Sequence, residues 1–370
     1  MKIQKNQKNK KACPEQSRRV VVALSGGVDS SVCAALLKKA GFQVIGVMAK
    51  FWKDGESKEN KCCSLESEKL ARQVAKKLEI PFYVVNLEKE FKKKVVDYFL
   101  KEYKSGNTPN PCVICNKEIK FGLLQEKAFK MGADFFATGH YAKIENKNLL
   151  PRLFKGTDEK KDQSYFLWQL NQQKLNKILF PVGNYTKQEV RNLAKKFDLP
   201  SAKTPESQEV CFVKDNTNNF LKKYLKIKPG KIVDINKKEV GKHQGLWFYT
   251  IGQRKGLEIV QGPWFVIEKD FKKNILIVSK NEKDLLKKES IAEKINWILP
   301  QKLPLNNIDV KIRYKSDFAK VKIIRIPPSP KASACQVKII FKTPQKAITP
   351  GQSIVFYKKN ELLGGGIISK

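Results

Sequence analysis

Long apolar runs are missing from this chain, and so is the apolar segment that opens a secretory signal peptide. No stretch reaches the roughly 20 apolar residues that a helix needs to cross a bilayer. We therefore expect a cytoplasmic protein without a membrane partner. In that compartment the eight cysteines are expected to be reduced thiols.

Acidic residues are also scarce, since 36 Asp and Glu stand against 73 Lys and Arg and leave a formal net charge of +37. This excess indicates a polyanionic partner, and nucleic-acid phosphates would supply a salt-sensitive, sequence-independent binding term. A lysine-rich proteome would account for part of the same excess. Residues 1–19 are basic, polar and without periodicity, so we expect a disordered arm there.

The glycine-rich loop near the start of the chain lacks both the Walker A spacing and the dinucleotide pattern Gly-x-Gly-x-x-Gly. Instead, the apolar run at residues 20–24 leads into Ser-Gly-Gly-Val-Asp-Ser-Ser at residues 25–31, and a helical pattern then ends at Gly41. Two glycines permit a tight turn, and the free N–H groups that begin a helix can hold phosphate oxygens. The loop predicts a pyrophosphate-binding site; the alternative is an ordinary strand–turn–helix junction.

Up to about residue 140, short apolar strands alternate with amphipathic helices, which is typical of a parallel α/β sheet. The predicted strands span residues 20–24, 43–48, 82–85 and 134–137. Parallel strands end at one edge of a sheet, so the loop at 25–31, the segment after Val47 and the pair Gly139-His140 should meet in one crevice.

The second half of the chain changes character. Thr186 and Glu189 are placed as a capping box that opens a further helix, which Leu199-Pro200 should end. After about residue 218, Gly and Pro turns separate short strands. This pattern predicts antiparallel β structure in the C-terminal third, in the form of a small barrel.

Two cysteines have Cys-x-x-Cys spacing in the proline-stiffened segment Asn-Thr-Pro-Asn-Pro-Cys112-Val-Ile-Cys115-Asn at residues 107–116. We expect both thiols just before a helix. Free N–H groups at a helix N-terminus lower a thiol pKa, which makes the thiol a nucleophile or a metal ligand. Cys211, directly after the α/β pattern, is a candidate partner for Cys115.

Taken in order, these motifs resemble a known family. The loop at residues 25–31 resembles the PP-loop of the N-type ATP pyrophosphatases, and essentially the whole chain after Arg19 resembles the tRNA-uridine 2-sulfurtransferases, the MnmA family. The supporting motifs after the loop are Asn110-Pro111-x-x-x-Cys115-Asn116-Lys-Glu-Ile-Lys-Phe121, Ala137-Thr-Gly-His-Tyr141, Lys161-Asp-Gln-Ser-Tyr-Phe-Leu167, Cys211-Phe212, Gly252-Gln-Arg-Lys-Gly-Leu257, Arg313-Tyr314 and Thr349-Pro-Gly-Gln352.

The resemblance implies a mixed α/β fold in three parts. Residues 20–217 would form a parallel-sheet PP-loop domain of the adenine nucleotide α hydrolase type. Residues 218–285 would form a small central tRNA-binding domain, and residues 286–370 an antiparallel β-barrel. The implied activity is ATP- and Mg²⁺-dependent 2-thiolation of the wobble uridine in tRNAs for Lys, Glu and Gln. ATP would adenylate uracil O2, and persulfide sulfur would replace that oxygen.

The resemblance also assigns residues. ATP would be bound by Ala23, Leu24, Ser25, Gly26, Gly27, Val28, Asp29, Ser30, Ala49 and Gly139, with Asp29 either capping the helix or helping to hold Mg²⁺. The target base, flipped out of its stack, would be surrounded by Asn110, Pro111, Cys112, Lys161, Asp162, Gln163, Arg313 and Tyr314. His140 and Gln352 would contact tRNA. Cys211 would carry a persulfide received from a cysteine desulfurase or sulfur-relay protein, and Cys115 would release its sulfur by forming a transient disulfide.

The chain departs from the family pattern at two positions. Many members carry Asp at the position of Cys112, and a thiol cannot inherit the acid–base role of that carboxyl because its pKa is several units higher. An alternative to the persulfide is therefore a [4Fe-4S] cluster held by Cys112, Cys115 and Cys211. Ala49 stands where Met is common, and a backbone contact to adenine would survive that change.

Two other functions compete with tRNA thiolation. One is a PP-loop ligase that acts on a small molecule, which the charge and the β-rich C-terminal third argue against. The other is a tRNA-binding or sulfur-carrier protein without catalysis of its own, which the intact loop argues against.

Overall fold

The computed structural model describes residues 18–54, 64–205, 210–213, 216–327 and 336–369. The arm predicted for residues 1–19 lies outside the described residues except for Arg18 and Arg19, and Arg19 opens the first strand. Within the described ranges, no helix is both long and apolar enough to span a membrane.

The N-terminal part of the chain folds around a parallel sheet. Its elements are β1 Arg19–Ala23, α1 Val28–Lys39, β2 Gln43–Lys50, α2 Leu65–Lys77, β3 Phe82–Asn86, α3 Glu88–Phe91, the π-helical stretch Lys92–Val96, α4 Asp97–Lys104, α5 Pro111–Ile114, the π-helical stretch Cys115–Leu124, α6 Gln125–Lys130, β4 Phe135–Ala137, β5 Ala142–Lys147, β6 Leu150–Lys155, α7 Gln172–Leu175, β7 Ile178–Leu179, α8 Lys187–Lys196 and α9 Thr217–Tyr224. Five of the strands form the sheet in the order β3-β2-β1-β4-β7, and every neighbouring pair is parallel.

The centre of this sheet is buried on both faces. Val20, Val21 and Val22 of β1 are fully buried, although successive strand residues point to opposite sides. Such continuous β-branched runs are typical of parallel strands covered on both faces. The parallel α/β prediction and its strand positions are confirmed, with the strand ends shifted by up to two residues.

The helix predicted after Thr186 is also confirmed. Thr186 caps α8, its side chain accepts a hydrogen bond from the backbone N–H of Glu189, and the Glu189 carboxylate accepts one from the backbone N–H of Thr186. Val190 and Ala194 are buried beneath this helix. The local capping pattern therefore determined where α8 begins.

The remaining strands form two further sheets. They are β8 Gly230–Asp234, β9 Glu239–His243, β10 Phe265–Asp270, β11 Ile275–Ser279, β12 Leu286–Trp297, β13 Leu305–Lys311, β14 Ala319–Arg325, β15 Val337–Lys346, β16 Ser353–Lys358 and β17 Glu361–Ile368. The first four form a sheet in the order β10-β11-β8-β9, whereas β12 to β17 close on themselves through the β12–β17 pairing. The predicted C-terminal barrel is confirmed.

One hairpin of the N-terminal part joins the barrel rather than the parallel sheet. Strand β6 pairs with β17, so that Leu153 lies opposite Leu362. Beside it, the Tyr165 hydroxyl donates a hydrogen bond to the Ser353 carbonyl at 2.9 Å, and the Trp168 indole donates one to the Ser353 hydroxyl at 3.0 Å. Antiparallel structure thus also occurs outside the C-terminal third, because the β5–β6 hairpin finds its partner strand β17 only in the folded molecule.

Candidate active site

The loop between β1 and α1 is a tight turn that its own hydroxyl groups stabilise. Gly26 has a φ of +80°, and a Cβ there would collide with the backbone carbonyl of Ser67. The Ser30 hydroxyl donates to the Gly27 carbonyl at 3.0 Å and accepts from the backbone N–H of Ser25 at 3.2 Å. Ser31 is fully buried and donates to the same carbonyl at 2.9 Å, so its hydroxyl stabilises the turn.

A cavity of about 220 Å³ opens at this loop. It is lined by Ala23, Leu24, Ser25, Asp29, Ser30, Val47, Met48, Ala49, Phe51, Lys120, Leu124, Thr138, Gly139, His140 and Gln163. Most of these residues follow the carboxyl ends of β1, β2 and β4, so the predicted meeting of three loops in one crevice is confirmed. Lys120 and Leu124 come from the π-helical stretch, and Gln163 comes from the segment after β6. Sequence reasoning assigned no role to Lys120 or Met48, although Lys120 belongs to a motif that carried the family resemblance.

Gly139 allows β4 to approach the start of α1. A Cβ on Gly139 would lie 2.7 Å from the backbone carbon of Asp29 and from the backbone nitrogen of Ser30. Contacts this short with backbone atoms force the two segments apart. The glycine therefore keeps the wall of the cavity in register with the helix N-terminus.

Asp29 does not cap α1. The N-cap residue is Gly27, and no side chain caps this helix. The Asp29 carboxylate instead accepts a hydrogen bond from the Tyr141 hydroxyl at 2.7 Å and forms an ion pair with Lys187, whose Nζ lies 2.7 Å from Oδ1. The capping alternative was wrong because the second residue of the helix is turned toward the neighbouring helix α8.

His140 forms part of the cavity wall and is itself buried. Its Nδ1 lies 2.7 Å from the Thr138 hydroxyl, and its ring packs against Phe121 and Phe180. Burial, and to a smaller extent the positive charge of Lys120, lower the pKa of His140 well below its usual value. The imidazole is therefore neutral at neutral pH.

The two clustered cysteines lie inside a helix rather than before it. Asn110 is the N-cap of α5 and accepts a hydrogen bond from the backbone N–H of Val113 at 3.4 Å, and Pro111 occupies the first helical position. Cys112 is exposed in the first turn, whereas Cys115 is buried where the π-helical stretch begins. The prediction of thiols preceding a helix was wrong, because Asn and Pro at these positions start the helix early. The favourable helix N-terminus accordingly lies beside Cys112.

The loop before this helix is held by the other two parts of the chain. The backbone N–H of Thr108 donates to the Pro350 carbonyl at 2.8 Å, and the Gln352 side chain donates to the Thr108 carbonyl at 2.8 Å. The hydroxyls of Thr108 and Thr250 lie 3.2 Å apart. Gln352, expected to contact tRNA, thus packs against the segment that leads to Cys112.

Gln163 and Asp162, two of the residues predicted to surround the target base, differ in what their side chains contact. Gln163 lines the cavity and accepts a hydrogen bond from the backbone N–H of Tyr141 at 3.1 Å. Asp162 is buried, accepts hydrogen bonds from the backbone of Gly156 and from Ser164, and has a pKa that burial raises. The Asp162 carboxylate therefore stabilises the loop at residues 156–164. Its neighbour Lys161 is partly exposed.

Arg313 and Tyr314 follow strand β13 of the barrel, and Tyr314 packs against Tyr165 and Phe166. The Tyr314 ring lies 4.5 Å from the Phe166 ring and 6.0 Å from the Tyr165 ring. Tyr165 also has Asn110 as a side-chain hydrogen-bond partner and Arg313 as a nearby charge. Asn110 is far in sequence from Arg313 and Tyr314. The fold brings all three residues close to Tyr165.

Cys211 is partly exposed. The next residue, Phe212, packs against Phe91 and Phe99 with ring centroids 5.8 Å and 5.3 Å apart. The Cys115 segment contacts the same helical region through an ion pair of 2.9 Å between Glu118 and Lys94. Cys115 and Cys211 therefore flank one helical region, and neither forms a disulfide in this structure.

A three-thiol metal site is not assembled in the part of the chain that the structure describes. Within those residues, no three His, Cys, Asp or Glu side chains are grouped so that they could hold a metal ion. Cys112, Cys115 and Cys211 all lie within the described residues. The three thiols are therefore not brought together as ligands of one metal ion among the described residues.

The parallel sheet, the glycine loop and the cavity at the strand ends define a phosphate-loop nucleotide-binding protein. Three family models match, described as a tRNA methyl transferase HUP domain at residues 18–215, a tRNA methyl transferase PRC-barrel domain at residues 218–280 and an aminomethyltransferase beta-barrel domain at residues 287–368. Curated relatives are named tRNA-specific 2-thiouridylase MnmA. One from Thermoanaerobacter sp. (strain X514) is 47% identical over 96% of this chain and 99% of its own length, and one from Clostridioides difficile (strain 630) is 46% identical over the same shares. The chain belongs to the MnmA family of tRNA-specific 2-thiouridylases.

Solved structures resemble the chain more weakly. The U34-tRNA thiolase NcsA from Methanococcus maripaludis, with its [4Fe-4S] cluster, is 21% identical with a TM-score of 0.34, and the match covers 52% of this chain and 61% of that one. The NMN synthetase from Francisella tularensis is 19% identical with a TM-score of 0.33, over 51% and 66% respectively. Likenesses at this level do not bear on the ligands of this site.

Proposed function

We propose that this protein catalyses ATP-dependent 2-thiolation of the wobble uridine of tRNA. The observation that carries the proposal is that the nucleotide cavity and Cys115 share one helical segment. Cys115 begins the stretch Cys115–Leu124, and Lys120 and Leu124 of that stretch line the cavity. One helical segment would therefore carry both a wall of the cavity and a cysteine thiol.

The first step would be activation of the uracil by ATP. The backbone N–H groups of residues 26–30 would face the phosphates of ATP at the start of α1, where the helix dipole favours negative charge. Uracil O2 attacks the α-phosphorus, the bond to the β-phosphate oxygen breaks, and pyrophosphate leaves with the electron pair. Mg²⁺ would be held by the ATP phosphates together with one or two protein carboxylates, and Asp29 is a carboxylate at the cavity edge that could serve as such a ligand.

The base would enter beside the aromatic group formed by Tyr165, Phe166 and Tyr314. Flipped bases are commonly recognised by stacking on aromatic rings and by hydrogen bonds to their edges. Asn110 and Arg313 supply hydrogen-bonding side chains next to those rings. A uracil bound there would lie between the nucleotide cavity, which Gln163 helps to line, and the helix that carries Cys115.

The second step would be sulfur transfer. The terminal sulfur of a persulfide on Cys211 attacks C2 of the adenylated uracil, and AMP leaves with the original oxygen. The Cys115 thiolate then attacks the Cys211 sulfur, which breaks the sulfur–sulfur bond, releases the thiocarbonyl and leaves a Cys115–Cys211 disulfide. An external thiol reduces that disulfide, and a cysteine desulfurase or relay protein reloads Cys211.

The experiment is nucleoside mass spectrometry of tRNA incubated with the protein, ATP, Mg²⁺ and a persulfide donor. We expect 2-thiouridine from the native chain and from Cys112→Ala, and none from Cys115→Ala or Cys211→Ala. Cys33→Ala is the matched control, since Cys33 is fully buried and should not react. Absence of product from the native chain under both aerobic and anaerobic conditions would refute the proposal and favour a small-molecule ligase. Loss of both iron and activity in anaerobically purified Cys112→Ala would instead establish the cluster mechanism.

A further inference from the structure

A partly buried ion pair lies at the phosphate loop, where the Asp29 side chain is 32% exposed. The Lys187 Nζ is 2.7 Å from Oδ1 and 2.9 Å from Oδ2 of Asp29, and the Lys187 side chain is only 11% exposed. The Tyr141 hydroxyl donates to the same Oδ1 at 2.7 Å, and Lys187 also lies 5.7 Å from the centre of the Tyr141 ring. Asp29 lines the nucleotide cavity. The Lys187 ammonium group therefore lies directly behind a carboxylate of the cavity wall.

The backbone of Lys187 is held firmly in place. Lys187 is the first residue of α8, directly after the capping box of Thr186 and Glu189, and its backbone N–H donates to Asp158 at 2.9 Å. A cation in the first turn of a helix opposes the helix dipole. Helix stability therefore does not account for a lysine at this position, whereas a ligand at the neighbouring loop would.

The charge balance of the loop leads to the same conclusion. Asp29 stands in the first turn of the helix that would hold the triphosphate, and its negative charge would repel the phosphates unless a cation accompanied it. The Lys187 ammonium is largely removed from water in this pair, and this desolvation offsets much of the attraction, so the pair is itself weak evidence of a stabilising role. An ammonium kept close to a phosphate site is better placed to meet the charge of the ligand.

We propose that Lys187 exchanges Asp29 for the β- and γ-phosphates of ATP and then holds the pyrophosphate leaving group. When the bond from the α-phosphorus to the bridging oxygen breaks, the electron pair stays on the pyrophosphate. Lys187 remains protonated throughout and lowers the energy of that developing charge. Asp29 retains the Tyr141 hydroxyl as its hydrogen-bond donor. This role rests on the proposed function in one respect only, namely that uracil is the group that attacks ATP.

The test measures binding of inorganic pyrophosphate in EDTA by calorimetry and, separately, release of pyrophosphate from Mg·ATP in the presence of substrate tRNA. For Lys187→Met we expect affinity for pyrophosphate to fall at least tenfold and kcat for ATP cleavage to fall by about 100-fold, with partial recovery in Lys187→Arg. Lys320→Met is the matched control, because Lys320 forms an ion pair with Asp309 in the barrel. It should leave both quantities unchanged.

Asp29→Asn separates ligand binding from a structural role and replaces Lys187→Met as the test if that variant does not fold. The proposal requires the affinity of this variant for metal-free pyrophosphate to be unchanged or higher, since Lys187 is released from its partner. A tenfold loss in Asp29→Asn, or native pyrophosphate affinity in folded Lys187→Met, would show that the pair only stabilises the fold. Because pyrophosphate binding needs no tRNA, a failure of tRNA thiolation in the native chain would leave this result standing by itself.

Discussion

Gly26 and Gly139 show how single residues determine the shape of the nucleotide cavity. Gly26 adopts a left-handed conformation that other residues rarely take. Gly139 is needed for a different reason, because α1 approaches it more closely than a Cβ would permit. The first requirement was evident from the loop pattern, whereas the second depends on the approach of two segments that are far apart in sequence.

Gly139→Ala should therefore impair nucleotide binding without unfolding the protein. A Cβ 2.7 Å from the backbone of Asp29 and Ser30 must displace the start of α1, where the phosphates would bind. We expect ATP affinity to fall by at least about tenfold, equivalent to ~1.4 kcal/mol, in equilibrium binding measurements.

Gly241→Ala is the matched control for that substitution. The nearest atom to a Cβ at Gly241 is in the Ile259 side chain at 3.4 Å, an ordinary contact outside the cavity. Its ATP affinity should equal that of the native chain. Equal affinities in all three proteins would show that the close approach at Gly139 has no bearing on the nucleotide.

At the scale of elements, the helix that carries Cys112 and Cys115 depends on its first residues. Asn110 caps α5 and also contacts Tyr165 in the aromatic group. The sequence showed two prolines and a rigid loop, but not that Asn110-Pro111 starts the helix. A proline fits the first helical position as well as a loop, so local pattern alone does not separate the two structures.

Asn110→Ala should loosen this helix start. Loss of an N-cap costs about 1 kcal/mol of folding free energy, and the backbone around Cys112 and Cys115 would open more often. We expect faster alkylation of Cys115 by iodoacetamide, measured by peptide mass spectrometry, together with a lower unfolding temperature.

Asn171→Ala provides the comparison, because Asn171 caps α7 in the same way and accepts from the backbone N–H of Lys174 at 3.0 Å. It should lower the unfolding temperature without changing the alkylation rate of Cys115. If both variants alkylate at the native rate, the cap does not control access to the thiol.

At the scale of the whole molecule, all three parts of the chain meet at one loop. Thr108 is hydrogen-bonded to Pro350 and Gln352 of the barrel part, and its hydroxyl lies beside that of Thr250 in the central part. The β5–β6 hairpin, Tyr165 and Trp168 anchor the barrel a second time. The position of the cysteine helix thus depends on domain packing as well as on its own sequence.

Gln352→Ala tests whether Gln352 positions this loop or contacts tRNA. The structure has its side chain donating to the Thr108 carbonyl, so we expect kcat for 2-thiouridine formation to fall about tenfold, the effect of about 1.4 kcal/mol, with tRNA affinity unchanged. Gln345→Ala is the control, because Gln345 is a partly exposed barrel residue whose side chain is hydrogen-bonded within its own strand. It should change neither kcat nor tRNA affinity. A loss of tRNA affinity with normal kcat would support the direct contact instead.

The sequence by itself determined the local structures: the β-branched core strand at Val20–Val22, the turn at Gly26, the capping box at Thr186 and Glu189, and the alternating strands of the barrel. Each depends on neighbouring residues, whose backbone preferences and periodicity are visible in one stretch of chain. Tertiary structure alone decided which distant side chains meet. Lys187 reaches Asp29 and Gln352 holds Thr108 because packing brings separate segments together, and no local pattern encodes those distances.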